Sequence, residues 1–277
     1  MSTDLESCRA FYARVVVGAI APTHAALVRA FSRVPRERFV GPGPWKIAVR
    51  DGYVETPSDD PRFLYQNVLV ALAVDREINN GQPAMHAHAL SVLKPAEGER
   101  VAHIGAGTGY YTAVLAELVG PSGTVHAYEI EEDLARRASG NLSDRSNVEV
   151  HHCSGAEVTL PQVDVIYVNA GATEPAATWF DALDRQGRLM FPLTADDGDG
   201  GLLVLTRSSE EVFAAQFVSR LRIYPCMGAR ETDASVALAE AFRRRDIKDV
   251  KSFRRRTTPD QTAWHVGAGW WLSTEAA

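Results

Sequence analysis

The residues best suited to chemistry in this chain lie in a short glycine-rich segment near its middle. Gly105, Gly107 and Gly109 are spaced as Gly-x-Gly-x-Gly, directly after the apolar run Arg100–Ile104. Glycine lets the main chain turn sharply and lets a ligand approach the backbone closely. Glu129 ends the next predicted strand, where a carboxylate can bind the hydroxyls of a ribose. The pattern therefore predicts a nucleotide-containing cofactor held between a strand and the following helix.

Two classes of cofactor share this layout. Dinucleotides prefer Gly-x-Gly-x-x-Gly, in which the helix N-terminus faces the pyrophosphate. This chain has Gly-x-Gly-x-Gly before Tyr110, and that spacing suits S-adenosylmethionine, which carries no phosphate. We therefore expect S-adenosylmethionine, with S-adenosylhomocysteine as its product, rather than a nicotinamide cofactor. A tight turn that binds no ligand is the structural alternative.

A second polar segment, Asn79-Asn80-Gly81-Gln82, precedes Pro83 and a predicted helix over 84–94. The side-chain amides of Asn79, Asn80 and Gln82 can donate hydrogen bonds to a carboxylate. The same composition is typical of a turn. A carboxylate with a pKa of about 4 is ionised at neutral pH, so its methylation needs alignment but no general base.

An acceptor hydroxyl or amine would need a residue that removes its proton, and histidine is the usual one. His86 and His88 follow the polar segment, and His103 precedes the glycines. His86 and His103 are candidates for contact with the cofactor. His88 is interpreted as a surface or packing residue.

Three consecutive residues, His151, His152 and Cys153, have the side-chain types of metal ligands. Neighbouring side chains on a strand point to opposite faces, so at most two of the three would share a face. Cys8, Cys153 and Cys226 are too widely spaced for a disulfide framework or a metal site. The sequence therefore predicts no metal and a reducing, cytoplasmic setting.

Alternating strands and helices must position these residues. Apolar runs predict successive strands at 100–104, 124–130, 148–152, 163–168 and 188–193, with helices between most of them. This alternation predicts an α/β fold with a doubly wound, mostly parallel, Rossmann-like sheet. Two further strand-like runs follow, and the chain closes with a predicted helix over 234–245 and a single predicted strand over 264–272.

Composition limits the classes of function that remain. The chain has 277 residues, is 45 % apolar and carries a net charge of −6. These values are typical of a globular protein, and they disfavour a dedicated nucleic-acid binder because phosphate neutralisation needs a positive field. The N-terminal apolar run over 15–21 is too short to span a membrane. We expect neither nucleic acid nor a membrane as a partner.

Several stretches, in order over about residues 31–218, resemble the protein-L-isoaspartate O-methyltransferase family. They are Val34-Pro35-Arg36-Glu37-Arg38-Phe39-Val40, Pro83-Ala84-Met85-His86-Ala87, Ile104-Gly105-Ala106-Gly107-Thr108-Gly109-Tyr110, Tyr128-Glu129-Ile130, Asn169-Ala170-Gly171-Ala172 and Gly187-Arg188-Leu189-Met190-Phe191-Pro192-Leu193. The resemblance implies a class I methyltransferase fold with Asn79, Asn80, Gly81 and Gln82 beside the substrate. It implies that the methyl donor contacts Pro83, His86, His103, Gly105, Ala106, Gly107, Thr108, Gly109, Tyr110, Glu129, Ile130, Ser154, Gly155 and Asn169.

The chain departs from the family pattern at three places. The family carries Thr-Ile-Ser where this chain has Asn79-Asn80-Gly81, so the hydroxyls of that loop are missing. His103 stands where a glutamate usually opens the donor motif. Cys153-Ser154-Gly155 replaces Gly-Asp-Gly, so a hydroxyl stands where a carboxylate usually meets the adenine amine.

The resemblance implies carboxyl O-methylation of L-isoaspartyl residues in a protein or peptide, as in protein repair. Two alternatives remain open: a tailoring methyltransferase for another peptide or small molecule, and a non-catalytic module that binds S-adenosylmethionine. The expected organisation is an N-terminal helical and irregular cap over 1–78, the donor-binding methyltransferase domain over 79–225 and a C-terminal extension over 226–277.

Overall fold

A computed structural model describes residues 2–21, 23–196, 199–221, 223, 229–230 and 232–277. Cys226 and the expected boundary between residues 225 and 226 lie outside these ranges. The described α-helices are α1 (Ser2–Gly18), α2 (Ala25–Arg33), α3 (Glu37–Val40), α4 (Pro83–Leu93), α5 (Tyr110–Val119), α6 (Glu132–Asn141), α7 (Ala177–Ala182) and α8 (Thr232–Arg244).

The strands alternate with these helices in the middle of the chain and follow one another near its end. They are β1 (Lys46–Val49), β2 (Gly52–Glu55), β3 (Ala71–Ala73), β4 (Ile78–Asn79), β5 (Arg100–Ile104), β6 (Thr124–Glu129), β7 (Val148–His152), β8 (Val163–Val168), β9 (Leu183–Thr194), β10 (Gly200–Arg207), β11 (Val212–Arg220), β12 (Ser252–Arg255), β13 (Ala263–Gly267) and β14 (Trp270–Ser273). Short 3₁₀ turns cover Pro61–Leu64 and Ile247–Asp249.

The chain divides into two compact units that interleave along the sequence. The first unit comprises Met1–Gly98, Ala106–Ala127 and Glu131–His152, and the second comprises Glu99–Gly105, Tyr128–Ile130 and Cys153–Ala277. Because each unit collects separate segments, the three consecutive domains expected from the sequence remain a prediction.

The first unit is built mainly on helices. In it, α1 packs on α2, and the rings of Tyr12 and Phe31 lie 6.4 Å apart between them. Helix α4 starts at Pro83, whose fixed φ suits the first helical turn, and Lys94 ends it in the left-handed conformation. Two small antiparallel pairs, β1 with β2 and β3 with β4, lie before this helix, and β6 lies beside β7 after it.

The second unit is built on a sheet whose strands follow the order β13-β14-β12-β11-β10-β9-β8-β5. β5, β8 and β9 pair in parallel, and the buried apolar runs of β5 and β8 suit strands that are covered on both faces. From β9 onward the pairing is antiparallel. The parallel strands confirm the predicted α/β class. The antiparallel strands β10 to β14 extend the sheet on the side of β9.

The C-terminal prediction of one strand over 264–272 was wrong. The run forms two antiparallel strands, β13 and β14, joined by a turn at which Gly269 has φ +74°. The tryptophans supply the apolar signal of a strand, but the glycines between them provide the turn. Trp264 and Trp270 then join the core of the second unit with Phe253. No helix among the described residues is long and apolar enough to cross a bilayer.

Candidate functional site

The glycine-rich segment folds as a strand, a tight loop and a helix. Gly105, Gly107 and Gly109 have φ of +74°, +56° and +94°, a region that residues with a Cβ avoid. Gly109 directly precedes α5, and a Cβ there would lie 2.7 Å from Leu142 Cδ1. A Cβ at Gly107 would lie 3.9 Å from Leu72 Cδ1, an ordinary contact distance. These values explain why each of the three positions is glycine.

The other loop residues in the first unit are buried and anchored through their backbone. Ala106 accepts a hydrogen bond from the Gly109 N–H at 3.0 Å. Thr108 accepts one from the Asn141 side-chain amide at 3.0 Å. Tyr110 is the first residue of α5, and its ring lies edge-on to Phe39 at 5.7 Å.

In the second unit, the buried His103 pairs with the half-buried Asn169. The amide nitrogen of Asn169 donates to His103 Nε2 at 2.6 Å, which leaves Nδ1 as the protonated ring nitrogen. The His103 ring stacks on Tyr167. Complete burial lowers the pKa of His103 to about 3, so the imidazole is uncharged at neutral pH. His103 therefore offers a hydrogen bond but not the ionic attraction of the glutamate that it replaces.

The second unit also contains five of the expected donor positions, which lie at or just after the ends of β5, β6 and β7. The Gly105 N–H donates to the Tyr128 carbonyl at 2.9 Å, and Glu129 is buried at the end of β6. Ile130, the next residue, is exposed. A Cβ at Gly155 would lie 2.8 Å from Ile104 Cγ1, so only glycine fits there. Ser154, beside it, is half-buried.

Asn79 and Asn80 in the polar segment are engaged in local structure. Asn79 Oδ1 accepts the Gly81 N–H at 2.9 Å, which is an Asx turn. Asn80 is buried, and its Oδ1 accepts from Arg36 Nη2 at 3.2 Å and from the Val70 N–H at 3.0 Å. Among the residues that the structure describes, the Asn80 Nδ2 has no hydrogen-bond partner. Gln82 is exposed and precedes α4 without capping it through its side chain.

The His86 imidazole occupies the space beside Gly81. A Cβ built on Gly81, whose φ is +75°, would lie 2.1 Å from His86 Nε2. His86 is buried and stacks on Tyr111 with ring centroids 3.4 Å apart, and Tyr111 Oη donates to the Gly81 carbonyl at 3.2 Å. The ring therefore lies against Tyr111 with its Nε2 close to Gly81. A side chain at position 81, such as the serine of the family pattern, does not fit with His86 in this position.

We expect Gly81→Ala to destabilise the protein by about 2–3 kcal/mol, because it adds overlap with His86 to an unfavourable φ. The matched control is Gly269→Ala. Gly269 has nearly the same φ, +74°, but its Cβ would meet no atom of the described part of the chain within 4 Å, so about 1 kcal/mol is expected. Chemical denaturation of both variants checks the difference. Equal losses would show that His86 moves away freely.

Histidines also lie on α4, β6 and β7, and the alternation of side chains along β7 separates His151 from His152. His88 lies half-buried in α4, and its carbonyl accepts from Ser91 Oγ. His151 does not group with His152 and Cys153. It shares a face of β7 with Glu149, and the ring nitrogens of His151 and His126 lie 3.4 Å apart. Sequence reasoning missed His126 because it is distant in sequence, on β6.

Arg36 is the other residue whose role the sequence did not reveal. It is completely buried in the first unit, and its guanidinium donates to the carbonyls of Leu64, Gln66 and Val68 and to Asn80 Oδ1. It thereby ties the chain before β3 to the polar segment. The motif that includes Arg36 was recognised, but no local pattern marks an arginine as buried.

Comparison with known proteins shows a family match. Residues 21–230 match the family model for protein-L-isoaspartate(D-aspartate) O-methyltransferase. The protein-L-isoaspartate O-methyltransferase 1 of Geotalea uraniireducens is 30 % identical over 208 residues, which are 74 % of this chain and 85 % of that protein. The Thermotoga maritima protein-L-isoaspartate O-methyltransferase is 28 % identical over 174 residues, 60 % of this chain but only half of that protein.

Solved structures show the same fold. A protein-L-isoaspartate O-methyltransferase aligns with a TM-score of 0.68 and 22 % identity, covering 80 % of this chain and 66 % of its own. A β-aspartate methyltransferase from Plasmodium falciparum, crystallised with S-adenosyl-L-homocysteine, aligns with a TM-score of 0.61 and 17 % identity, covering 78 % of this chain and 98 % of its own. At these identities the likeness concerns the fold alone.

Proposed function

Since this chain belongs to the protein-L-isoaspartate(D-aspartate) O-methyltransferase family, we propose that it transfers a methyl group from S-adenosylmethionine to the carboxylate of an L-isoaspartyl residue in a protein or peptide. The observation that carries the proposal is the loop of three left-handed glycines after β5, together with the buried side chain of Glu129 at the end of β6. The backbone of such a loop can lie directly against a ligand, and a carboxylate there suits a ribose.

The residues present fit the donor in their chemistry. Gly105, Gly107 and Gly109 leave the main chain of the loop uncovered by Cβ atoms, and a carboxylate at Glu129 accepts hydrogen bonds from two hydroxyls. When bound, S-adenosylmethionine supplies an electrophilic methyl group on a sulfonium centre. We assign the uncharged His103, together with Asn169, to the part of the site that would hold the sulfonium end of the donor. There His103 would contribute a neutral hydrogen bond.

We propose that the polar segment holds the acceptor. An acceptor carboxylate is already ionised at neutral pH, so these residues have only to align it and exclude water. The exposed amide of Gln82 is the side chain of the segment best placed to donate to it. Asn79 and Asn80 hold the segment in shape through Gly81, Arg36 and Val70. Gly81 leaves room for His86.

Paired peptides test this function directly. The protein is incubated with methyl-labelled S-adenosylmethionine and with peptides that differ only in carrying isoaspartate or aspartate. We expect base-labile label on the isoaspartyl peptide and none on the aspartyl peptide, because carboxyl methyl esters hydrolyse in mild base. Donor binding is measured in the same samples by calorimetry.

The other outcomes identify the alternatives. Donor binding without transfer to either peptide contradicts the proposal and favours a non-catalytic module. A base-stable methyl product on a different acceptor favours a tailoring methyltransferase. The polar segment motivates that alternative, because it has no hydroxyl in place of the serine of the family pattern.

We also propose a cytoplasmic setting. Among the described residues, Cys8 and Cys153 are free thiols, and burial raises the pKa of the Cys153 thiol. Unpaired, little-ionised thiols suit a reducing compartment. A protein or peptide acceptor from the same compartment is the expected partner.

A further inference from the structure

Three side chains from two neighbouring strands of the first unit converge on one point. His126 lies on β6, and Glu149 and His151 lie two residues apart on β7. His126 Nδ1 is 3.2 Å from Glu149 Oε2 and 3.4 Å from His151 Nε2, and His151 Nε2 is 3.8 Å from the same carboxylate oxygen. The cluster includes no residue of the proposed donor or substrate set.

We propose that His126, Glu149 and His151 form a binding site for a divalent transition-metal ion, with Zn²⁺ as the representative ligand. Two imidazoles and one carboxylate make a donor set that this class of ion prefers, whereas Mg²⁺ and Ca²⁺ prefer oxygen ligands alone. The proposal is independent of the methyl transfer.

The separations of the ligand atoms support the assignment. A tetrahedral zinc ion with bonds of about 2.0–2.1 Å has neighbouring ligand atoms about 3.3–3.4 Å apart. Two of the three distances, 3.2 and 3.4 Å, match this edge length closely, and the third, 3.8 Å, needs a movement of a few tenths of an ångström by the exposed Glu149. Each residue offers one ligand atom, so the three occupy three corners of a tetrahedron.

The backbone fixes these positions before any ion arrives. β6 and β7 are neighbours in the sheet, and the Val125 N–H donates to the Asn147 carbonyl at 2.8 Å just before the cluster. Glu149 and His151 project to one face because side chains two apart on a strand do so. An ion bound here would therefore link β6 to β7 without a change in their pairing.

The site is open to solvent. β7 is an edge strand beside β6, and the side chains of His126, His151 and Glu149 are 22 %, 32 % and 67 % exposed. An ion can enter directly, and water can fill a fourth coordination position. Because the ion would bind the folded strands and not the unfolded chain, it would stabilise the fold.

Metal binding by the full chain, without an affinity tag, tests the proposal. Zn²⁺ is titrated in a buffer that does not chelate metals, and bound metal is measured by equilibrium dialysis. We expect one saturable Zn²⁺ site per chain, with affinity lowered more than about tenfold in His126→Asn and in His151→Asn. The melting temperature of the wild type should rise with Zn²⁺, and that of the double variant should not.

His152→Asn is the matched control, since it changes the same residue type one position further along β7 on the opposite face. It should bind Zn²⁺ as the wild type does. If a histidine variant folds poorly, Glu149→Gln at the exposed position keeps the test decisive, with weakened binding expected. Saturable binding that survives the double substitution, or no binding by the wild type, would overturn the proposal.

Discussion

Replacing Glu129 by glutamine is expected to weaken the binding of S-adenosylmethionine by about 10- to 150-fold. The substitution keeps the size of the side chain but removes the charge that strengthens hydrogen bonds to the ribose. Losing charge-assisted hydrogen bonds at a buried position costs about 1.5–3 kcal/mol, which corresponds to this range of affinity. Isothermal titration calorimetry with S-adenosylmethionine and S-adenosylhomocysteine measures the change.

Glu132→Gln is the control for this prediction. Glu132 lies three residues further on, in the first turn of α6, and forms an exposed ion pair with Arg136. Exposed pairs contribute little, so donor binding should remain unchanged. If Glu129→Gln bound the donor as tightly as the wild type, the assignment of Glu129 to the ribose would be wrong, although the family membership would stand.

Replacing Arg36 by methionine should destabilise the protein by about 3–5 kcal/mol. Methionine fills much of the same volume but leaves the Leu64, Gln66 and Val68 carbonyls and the Asn80 side-chain oxygen without the hydrogen bonds that Arg36 donates. Buried acceptors that lose their partner cost about 1–3 kcal/mol each, and removal of the buried charge offsets part of the sum. Thermal unfolding should show a melting temperature roughly 5–15 °C lower.

Arg38→Met provides the comparison for Arg36→Met. Arg38 is two residues away, and its guanidinium forms a bidentate, largely exposed ion pair with Asp144. Its removal should cost less than about 1 kcal/mol. Similar losses in the two variants would mean that the hydrogen bonds of Arg36 are replaced by water. If the polar segment holds the acceptor as proposed, Arg36→Met should also raise the KM for the acceptor, because Arg36 holds Asn80 of that segment in place.

The sequence predicted the local backbone conformation of the candidate site. Glycines with positive φ after a buried strand, and a carboxylate at the end of the next strand, follow from the order of residues along the chain. The parallel strands β5, β8 and β9 follow from the alternation of apolar runs with helices. In these cases the residue types alone limit the conformations that are available.

The sequence did not predict contacts between residues distant along the chain. No local signal shows that Arg36 reaches the Asn80 side chain, or that His126 on one strand meets His151 on the next. The missing serine at Gly81 is visible in the sequence, but its physical reason, the His86 ring in that space, is a tertiary contact. Such pairings depend on the packing of elements, for which a single sequence carries little information.

The antiparallel strands at the C-terminus have a consequence for self-association. A long strand at the end of a sheet exposes backbone N–H and C=O groups that can pair with another molecule. Here the sheet of the second unit shortens outward, from the nine residues of β11 to the four or five of β12, β14 and β13. β13, the last of them, also carries a register shift between Ala263 and His265. A short, irregular final strand is a poor template, so we expect this edge to pair with another molecule less readily than a long, regular strand would.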